Sequence, residues 1–306
     1  MDFSKKLKPG MHAPRRPRTA VELAPEGALA AAVPGVGQSP VYAFAALAAG
    51  ALVPGIADPN LRAPESISEA LRTAIDATSP RSHAITLIVP DTTARVFVLD
   101  FDTLPEKRAD ALPVLRFRLR KMVPFEVEPS AVSFQRLPQN GNSDTLRVLA
   151  TIMPGPILAE YEAAVRSAGY EPGAVLPSSL AALSAEESME PLLTANLSST
   201  SLTTSITSGE DLLLFRTVEL PDGAEGRVAE VQRSVAVAAA YYEDKLGAPA
   251  RRLNYTGAVD VHEFARAVGD IDLEVVEIAP APATGAVTPL GPVGFAGVTG
   301  ALAGVA

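Results

Sequence analysis

One order of elements, three short apolar strands followed by a helix, occurs twice along this chain. In the first copy, the strands are predicted at residues 19–23, 29–33 and 41–48, and the helix at residues 69–77. In the second copy, the strands are predicted at residues 192–197, 202–207 and 212–220, and the helix at residues 227–246. Turn-forming residues separate the strands, and the first helix carries apolar residues three and four positions apart. The repeated order predicts an α/β protein with two similar halves that share a pattern but no sequence.

A different arrangement lies between the two copies, over residues 83–170. Two apolar runs, at residues 85–89 and 95–101, flank Pro90 and Asp91, which are residues that favour turns. This spacing predicts a β-hairpin or a short meander.

A basic amphipathic helix is predicted next, over residues 108–122, and it ends before Pro124. Its apolar residues recur at spacings of three and four, and they are Leu112, Leu115, Leu119 and Met122. Its cationic residues lie mostly on the other faces, and they are Arg116, Arg118, Arg120 and Lys121. A strand over residues 131–137 then completes a strand-strand-helix-strand unit, which we interpret as a subdomain inserted into the first half.

These patterns divide the chain into four parts. Residues 1–18 are predicted to form a basic flexible arm. Residues 19–82 together with residues 171–190 form the first half. Residues 83–170 form the inserted, partner-binding subdomain, and residues 191–306 form the second half.

The composition excludes several classes of site. The 306-residue chain has no cysteine, so it has no disulfide, thiolate zinc site or cysteine nucleophile. Its three histidines are far apart in sequence, and none has a spacing typical of metal ligands. The formal net charge of -9 argues against a nucleic-acid partner, because such binding relies on a basic surface.

The two ends of the chain differ in charge. The arm carries six Lys and Arg residues against one Asp, and two interpretations of it remain open. It is either a solvated tail or a segment that rests on an anionic membrane surface. At the other end, the uncharged residues 293–306 are too few to span a bilayer, so we predict a small-residue helix that packs closely on the core.

The order of motifs between residues 87 and 135 is similar to that of a known family. An apolar strand ends in Pro90-Asp91, a Leu104-Pro105 pair precedes the basic helix, and Pro124-Phe125 follows it. This order resembles the PilM family, the cytoplasmic actin-like proteins of type IV pilus assembly. Three further stretches agree in order with that family, at residues 28–59, 156–183 and 227–257.

The resemblance implies a duplicated actin-like, ribonuclease-H-type fold whose first half carries the inserted subdomain. It implies a cytoplasmic protein, peripheral to the inner membrane. It also implies a partner, because proteins of the PilM family hold the cytoplasmic tail of the membrane protein PilN in a groove beside the inserted subdomain.

The ATP site that the resemblance implies is incomplete in this sequence. The first strand lacks the family's Asp-x-Gly and Lys residues, and Glu22 and Glu26 would repel a phosphate group. The remaining candidates for contacting ATP are Ser198, Ser199, Thr200, Thr256 and Gly257. The cleft subdomain is also shortened, because Leu220 connects almost directly to the helix that follows. We expect no catalytic residue, no metal and no resident cofactor, with ATP and magnesium left as an alternative.

The basic helix and its surroundings provide the candidate partner-binding residues, which are Arg116, Phe117, Arg120, Lys121 and Phe125. Cationic side chains next to apolar ones suit either a helix in a groove or an added strand. The leading hypothesis is therefore a non-enzymatic scaffold that docks a PilN-like tail. The alternatives are an active ATPase of the same machinery, an actin-like component of a type II secretion system, and a filament-forming actin homologue of cell division.

Overall fold

The computed structural model describes residues 16–35, 37–138, 145–185, 188–269 and 271–303. Most of the predicted arm and the end of the predicted tail helix lie outside the described residues. In chain order, the strands are β1 (Thr19–Ala24), β2 (Gly27–Ala32), β3 (Val41–Ala46), β4 (Ala84–Val89), β5 (Arg95–Phe101), β6 (Ala131–Arg136), β7 (Leu146–Met153), β8 (Glu171–Pro177), β9 (Leu192–Leu197), β10 (Ser201–Ser208), β11 (Asp211–Glu219), β12 (Arg252–Gly257) and β13 (Glu274–Glu277). The helices are α1 (Pro64–Ala77), α2 (Arg108–Leu119), α3 (Gly155–Ser167), α4 (Ser178–Ala182), α5 (Ala224–Leu246), α6 (Val261–Val268) and α7 (Ala296–Leu302).

The first half is built on a five-stranded sheet with the strand order β3-β2-β1-β4-β8. Strands β1, β2 and β3 form an antiparallel meander, and β4 pairs in parallel with both β1 and β8. Helices α1 and α3 share one apolar core with this sheet, and Leu71, Ile75, Tyr161 and Val165 are buried there.

The hairpin or short meander predicted from residues 85–89 and 95–101 is wrong. Strand β4 pairs with β1 and β8, whereas β5 pairs with β7 in another sheet. Every residue from Ile85 to Val89 is buried, as expected for a central strand of a sheet that is covered on both faces. A 3-10 turn at Asp91–Thr93 carries the chain from one sheet to the other.

The inserted subdomain is a three-stranded sheet, with the order β5-β7-β6, covered by α2. Leu115 and Leu119 of α2 pack in its core with Leu99 and Val148. The other elements of the predicted range 83–170 belong elsewhere, because β4 and α3 contribute to the core of the first half.

Helix α2 ends at Leu119 and not at the predicted Met122. Arg120 to Met122 form turns after the helix, and Met122 is 40% exposed, so its predicted place on the apolar face is wrong. The buried residues of α2 are Ala111, Leu115 and Leu119, spaced by four residues, so Leu115 and Leu119 lie on the apolar face as predicted.

The second half repeats the topology of the first. Its sheet has the order β11-β10-β9-β12-β13, in which an antiparallel meander is again followed by two parallel strands. Helices α5 and α6 contribute Val235 and Phe264 to its core. The repeated order of elements in the sequence therefore corresponds to a duplicated fold.

The last helix, α7, returns to the first half and packs against α4, β1 and β2. Alternate residues of a strand point to opposite faces of a sheet. Val21 of β1 packs in the core under α1, whereas Ala20 packs with Val298 of α7, so α7 covers the other face. The predicted small-residue tail helix is confirmed, but it packs on the first half and not within the predicted second half, 191–306.

Within the described parts of the chain, every helix is too short or too polar to span a lipid bilayer.

The approach of α7 to α4 generates a stability prediction. A helical Gly→Ala change is ordinarily stabilising by about 0.5–1 kcal/mol. A methyl group on Gly300 would overlap the carbonyl oxygen of Ala181. We therefore expect Gly300→Ala to lower the free energy of unfolding by about 1–3 kcal/mol, measured by chemical denaturation. Gly226→Ala on α5, where the added methyl faces only the Pro221 side chain, is the matched control and should be neutral or stabilising. An unchanged stability for Gly300→Ala would contradict the packing of α7.

Candidate functional site

The residues predicted to contact ATP lie at a cleft between the two halves. The turn between β9 and β10 brings Ser198 and Ser199 to the cleft, and Thr256 near the end of β12 joins them. The first half contributes Glu22 and Glu26 to the same lining. Thr200 and Gly257, also predicted here, are neighbours of these residues in sequence but are not part of the lining.

The tail of the chain lines one side of this cleft. Gly294 lies against Gly257, and Gly297 lies against the carboxylate of Glu22, which a methyl group on Gly297 would overlap. A free volume of about 40 Å³ remains. Sites for small-molecule ligands of drug size have volumes of roughly 300–1000 Å³. The space between the halves is therefore too small for a nucleotide in this arrangement of the chain.

Glu22 gives the cleft an acidic character. Its Oε1 accepts a hydrogen bond from the hydroxyl of Ser178 at 2.6 Å, and its Oε2 is buried with no hydrogen-bond partner among the described residues. Burial raises the pKa of the Glu22 carboxyl from its ordinary 4.5 to about 7. The hydrogen bond from Ser178 acts in the opposite direction, and the carboxylates of Asp91 and Glu26 raise the pKa further. Neither protonation state provides the positive charge that a phosphate group requires.

The polar groups of the β9–β10 turn are mostly bonded to each other. The Ser198 hydroxyl accepts hydrogen bonds from the backbone N–H groups of Thr200 and Ser201, at 3.2 and 2.9 Å. The guanidinium group of Arg227 donates to the carbonyl oxygen of Ser199 at 2.7 Å. The Ser199 hydroxyl is buried and has no partner among the described residues. This geometry is that of a hairpin turn held by its own side chains.

Few side chains at the cleft could bind the metal ion that would accompany ATP. Within the described parts of the chain, no group of three or more His, Asp and Glu side chains could hold a metal ion. Glu22 and Glu26 are the carboxylates that line the cleft. Among the described residues of the lining, no Lys or Arg side chain accompanies these carboxylates to neutralise the charge of phosphates.

A second candidate site is the exposed face of α2 and the turn after it, which we call the α2 surface: Val114, Phe117, Arg118, Lys121 and Met122. Phe117 is 65% exposed, and Val114 and Met122 are 38% and 40% exposed. A groove of about 350 Å³ lies beside Phe117, between α2 and the segment that carries Glu128. Arg118 and Lys121 are exposed and have no acidic partner among the described residues. An exposed aromatic ring beside unpaired cations is a feature typical of protein-binding surfaces.

The five predicted partner-binding residues have different surroundings. Arg116 donates hydrogen bonds to the carbonyl oxygens of Val127, Glu128 and Ser130, at 3.2 Å for Glu128 and 2.9 Å for Ser130. Arg120 forms an ion pair with the Glu128 carboxylate, which holds the pKa of that exposed carboxyl below its ordinary value.

Phe125 is half-buried and packs against the core of the inserted subdomain. Phe117 and Lys121 remain exposed. Among the predicted residues, these two are available to a partner, whereas the other side chains have contacts within the chain.

Sequence reasoning included Phe117 but missed Val114 and Met122, the other apolar residues of the α2 surface. Val114 lies three residues before Phe117 and therefore on the same helical face. Met122 was assigned to the buried face because the helix was predicted to continue to that residue. The missed signal was the recurrence of Val114, Phe117 and Lys121 at spacings of three and four.

Comparison with known proteins bears on the fold. No protein-family model matches this sequence, and no curated protein matches it. Among solved structures, the chain is similar to a PilM-PilN type IV pilus biogenesis complex. The TM-score is 0.66 and the identity 15%, over 86% of this chain and 89% of that chain.

A second similar structure is a protein of unknown function with an actin-like ATPase fold from Bacteroides thetaiotaomicron. Its TM-score is 0.50 and its identity 12%, over 87% of this chain and 92% of that chain. The chain has the actin-like fold. A third structure, the cytoplasmic domain of EpsL from the type II secretion system of Vibrio cholerae, has a TM-score of 0.48 and an identity of 13%, over 78% of this chain and 80% of that chain. The fold predicted from the sequence, a duplicated actin-like fold with an inserted subdomain, is confirmed.

The raised pKa of Glu22 predicts a pH dependence of stability. Because the folded protein binds this proton more tightly than the unfolded chain, the free energy of unfolding falls as the pH rises from about 4.5 to about 7. The loss amounts to at most about 3 kcal/mol. Glu22→Gln resembles the protonated form, so it should remove this decrease and be more stable than the original chain at pH 8. Denaturant titrations at pH 5 and pH 8 measure both effects.

The control for this prediction is Glu69→Gln, which changes an exposed carboxylate on α1. It should leave the pH dependence unchanged. A Glu22→Gln protein with the original slope between pH 5 and pH 8 would show that Glu22 has no raised pKa.

Proposed function

We propose that this chain is a non-enzymatic scaffold of type IV pilus assembly, which docks the cytoplasmic tail of a PilN-like inner-membrane protein on the α2 surface. The observation that carries the proposal is the exposed Phe117, which lies between a groove and cations without acidic partners. The similarity in fold to a PilM-PilN complex supports the choice of machinery and partner.

The α2 surface favours a tail of a particular chemistry. The groove beside Phe117 is bounded by Leu112 and Pro113, and it would accept an apolar side chain of the tail. Arg118 and Lys121 would pair with acidic residues of the tail and give the complex its orientation. A short segment with one or two apolar residues and neighbouring acidic residues satisfies both requirements.

The properties of the cleft favour a scaffold function over the alternative of an active ATPase. Its small free volume, the carboxylates of Glu22 and Glu26, and the internal bonding of the Ser198 turn all disfavour a bound triphosphate. Phosphoryl transfer depends on cations that stabilise the transferred group. The cation nearest the turn, Arg227, is bonded to a backbone carbonyl.

The proposed place of the protein is the cytoplasmic face of the inner membrane, where a PilN-like tail is accessible. A direct contact of the basic arm, residues 1–18, with anionic lipid stays a prediction, since most of the arm lies outside the described residues. The alternative of a type II secretion component shares the docking role and differs in the partner.

The first prediction of this proposal concerns nucleotide. Calorimetric titration with ATP and magnesium should give no saturable heat at millimolar concentration, because the cleft has a small free volume and an acidic lining. The same ligand should leave the midpoint of thermal unfolding unchanged, since a ligand that binds the folded state would raise it. Saturable binding together with a raised midpoint would support the ATPase alternative.

The second prediction concerns Phe117. We expect Phe117→Ser to weaken binding of a synthetic peptide, carrying the cytoplasmic tail of a PilN-like protein from the same genome, by about tenfold or more. The physical reason is the loss of an aromatic side chain that the tail would cover. Fluorescence anisotropy of the labelled peptide measures the affinity.

The matched control is Val237→Ser, which changes a 47% exposed side chain on α5 in the second half. It should bind the peptide as the original chain does. Equal affinities of the Phe117→Ser and Val237→Ser proteins would place the docking site elsewhere, and no binding by any of the three proteins would refute the proposed partner.

A further inference from the structure

The inserted subdomain is in contact with the second half as well as with the first. Strand β5 packs against β11 across the gap between them. Leu212 and Phe215 of β11 are buried in one apolar cluster, and Val96, Val98 and Leu149 of the inserted subdomain pack against it. Lobes joined in this way move relative to one another unless their interface is large or strongly bonded. The hydrogen bonds and ion pairs across this interface therefore determine how far these lobes can move.

Arg147 provides the first bond. It lies on β7, and its Nη1 donates to both carboxylate oxygens of Asp211, at 2.5 and 2.6 Å. Its Nη2 donates to the carbonyl oxygen of Leu212 at 2.5 Å. The Asp211 side chain is only 4% exposed and that of Arg147 is 23% exposed. Charge-assisted hydrogen bonds of this kind fix geometry, and their separation would remove a cation from beside the buried Asp211 carboxylate.

Asp91 provides a second bond, at the other end of the same interface. It lies in the 3-10 turn that leads from the first half into the inserted subdomain. Its buried carboxylate accepts hydrogen bonds from the backbone N–H of Ser179, at 2.9 Å, and from the Ser179 hydroxyl. It also accepts a hydrogen bond from the hydroxyl of Thr203 on β10, at 2.9 Å. Ser179 belongs to the first half and Thr203 to the second, so one carboxylate joins both.

A third bond connects the two halves directly. The side-chain amide of Asn196 on β9 donates to the hydroxyl of Ser179 at 2.8 Å. The three bonds involve the first half, the inserted subdomain and the second half, and each includes a side chain that is largely removed from water.

We propose that these bonds form a latch, centred on Arg147–Asp211 and Asp91–Thr203, which holds the two halves closed without a nucleotide. The latch keeps the α2 surface at a fixed orientation to the second half. The latch is separate from the proposed docking role, because the latch does not depend on which partner the α2 surface binds.

Two spin labels test the latch in the full chain. The absence of native cysteine allows labels to be attached through Ser133→Cys on β6 and Val237→Cys on α5, both of which are exposed positions. Pulsed electron resonance should give one narrow distance distribution that ATP and magnesium leave unchanged. Arg147→Met should broaden this distribution towards longer distances, and it should speed amide exchange in β10 and β11.

The test includes a control variant and a second variant for the case in which Arg147→Met does not fold. Arg166→Met removes one side of an exposed ion pair with Glu162 on α3, and it should leave the distances unchanged. If Arg147→Met fails to fold, the double variant Arg147→Met with Asp211→Asn removes both charges of the buried pair and should show the same broadening. A broad distribution in the original chain, a shift on adding ATP, or a narrow distribution in the folded Arg147 variants would overturn the proposal.

Discussion

The close contact between the tail and strand β1 determines what the cleft between the halves can hold. Gly294 and Gly297 have no side chain, so the backbone of the tail reaches Gly257 on one side and the Glu22 carboxylate on the other. This packing buries Glu22 Oε2 and raises the pKa of that carboxyl. The same contact thus leaves the cleft with a small free volume and an acidic lining. The binding capacity of the chain is then expected outside the cleft.

The surface that remains available is on the inserted subdomain. Leu115 and Leu119 hold α2 on the sheet of this subdomain, and Arg116 ties the following loop to the helix through backbone carbonyl groups. The exposed Phe117 therefore lies on a rigid element, which reduces the entropy lost when a partner binds. The bonds of Arg147 and Asp91 connect this element to both halves, so the actin-like fold would provide a fixed base for the proposed docking surface.

Much of the fold could be predicted from the sequence, because short apolar strands and an amphipathic helix recur in the same order. The hairpin at residues 85–89 and 95–101 was wrong, since an apolar run with a following turn fits a hairpin and a central parallel strand equally well. The charge of Arg116 indicated a binding residue, but its partners are backbone carbonyl groups that no sequence pattern reveals. Asp91 was interpreted as a turn residue, whereas its carboxylate is a buried acceptor for residues about a hundred positions away in sequence.

The central claim is that the chain binds a partner on the α2 surface and leaves its cleft closed. Hydrogen–deuterium exchange, with and without the tail peptide of a PilN-like protein, tests this most directly. Slower exchange should be confined to the inserted subdomain around residues 108–130, with no change at the β9–β10 turn or at the end of β12. Slower exchange at that turn and strand end, on adding either the peptide or ATP with magnesium, would contradict the claim.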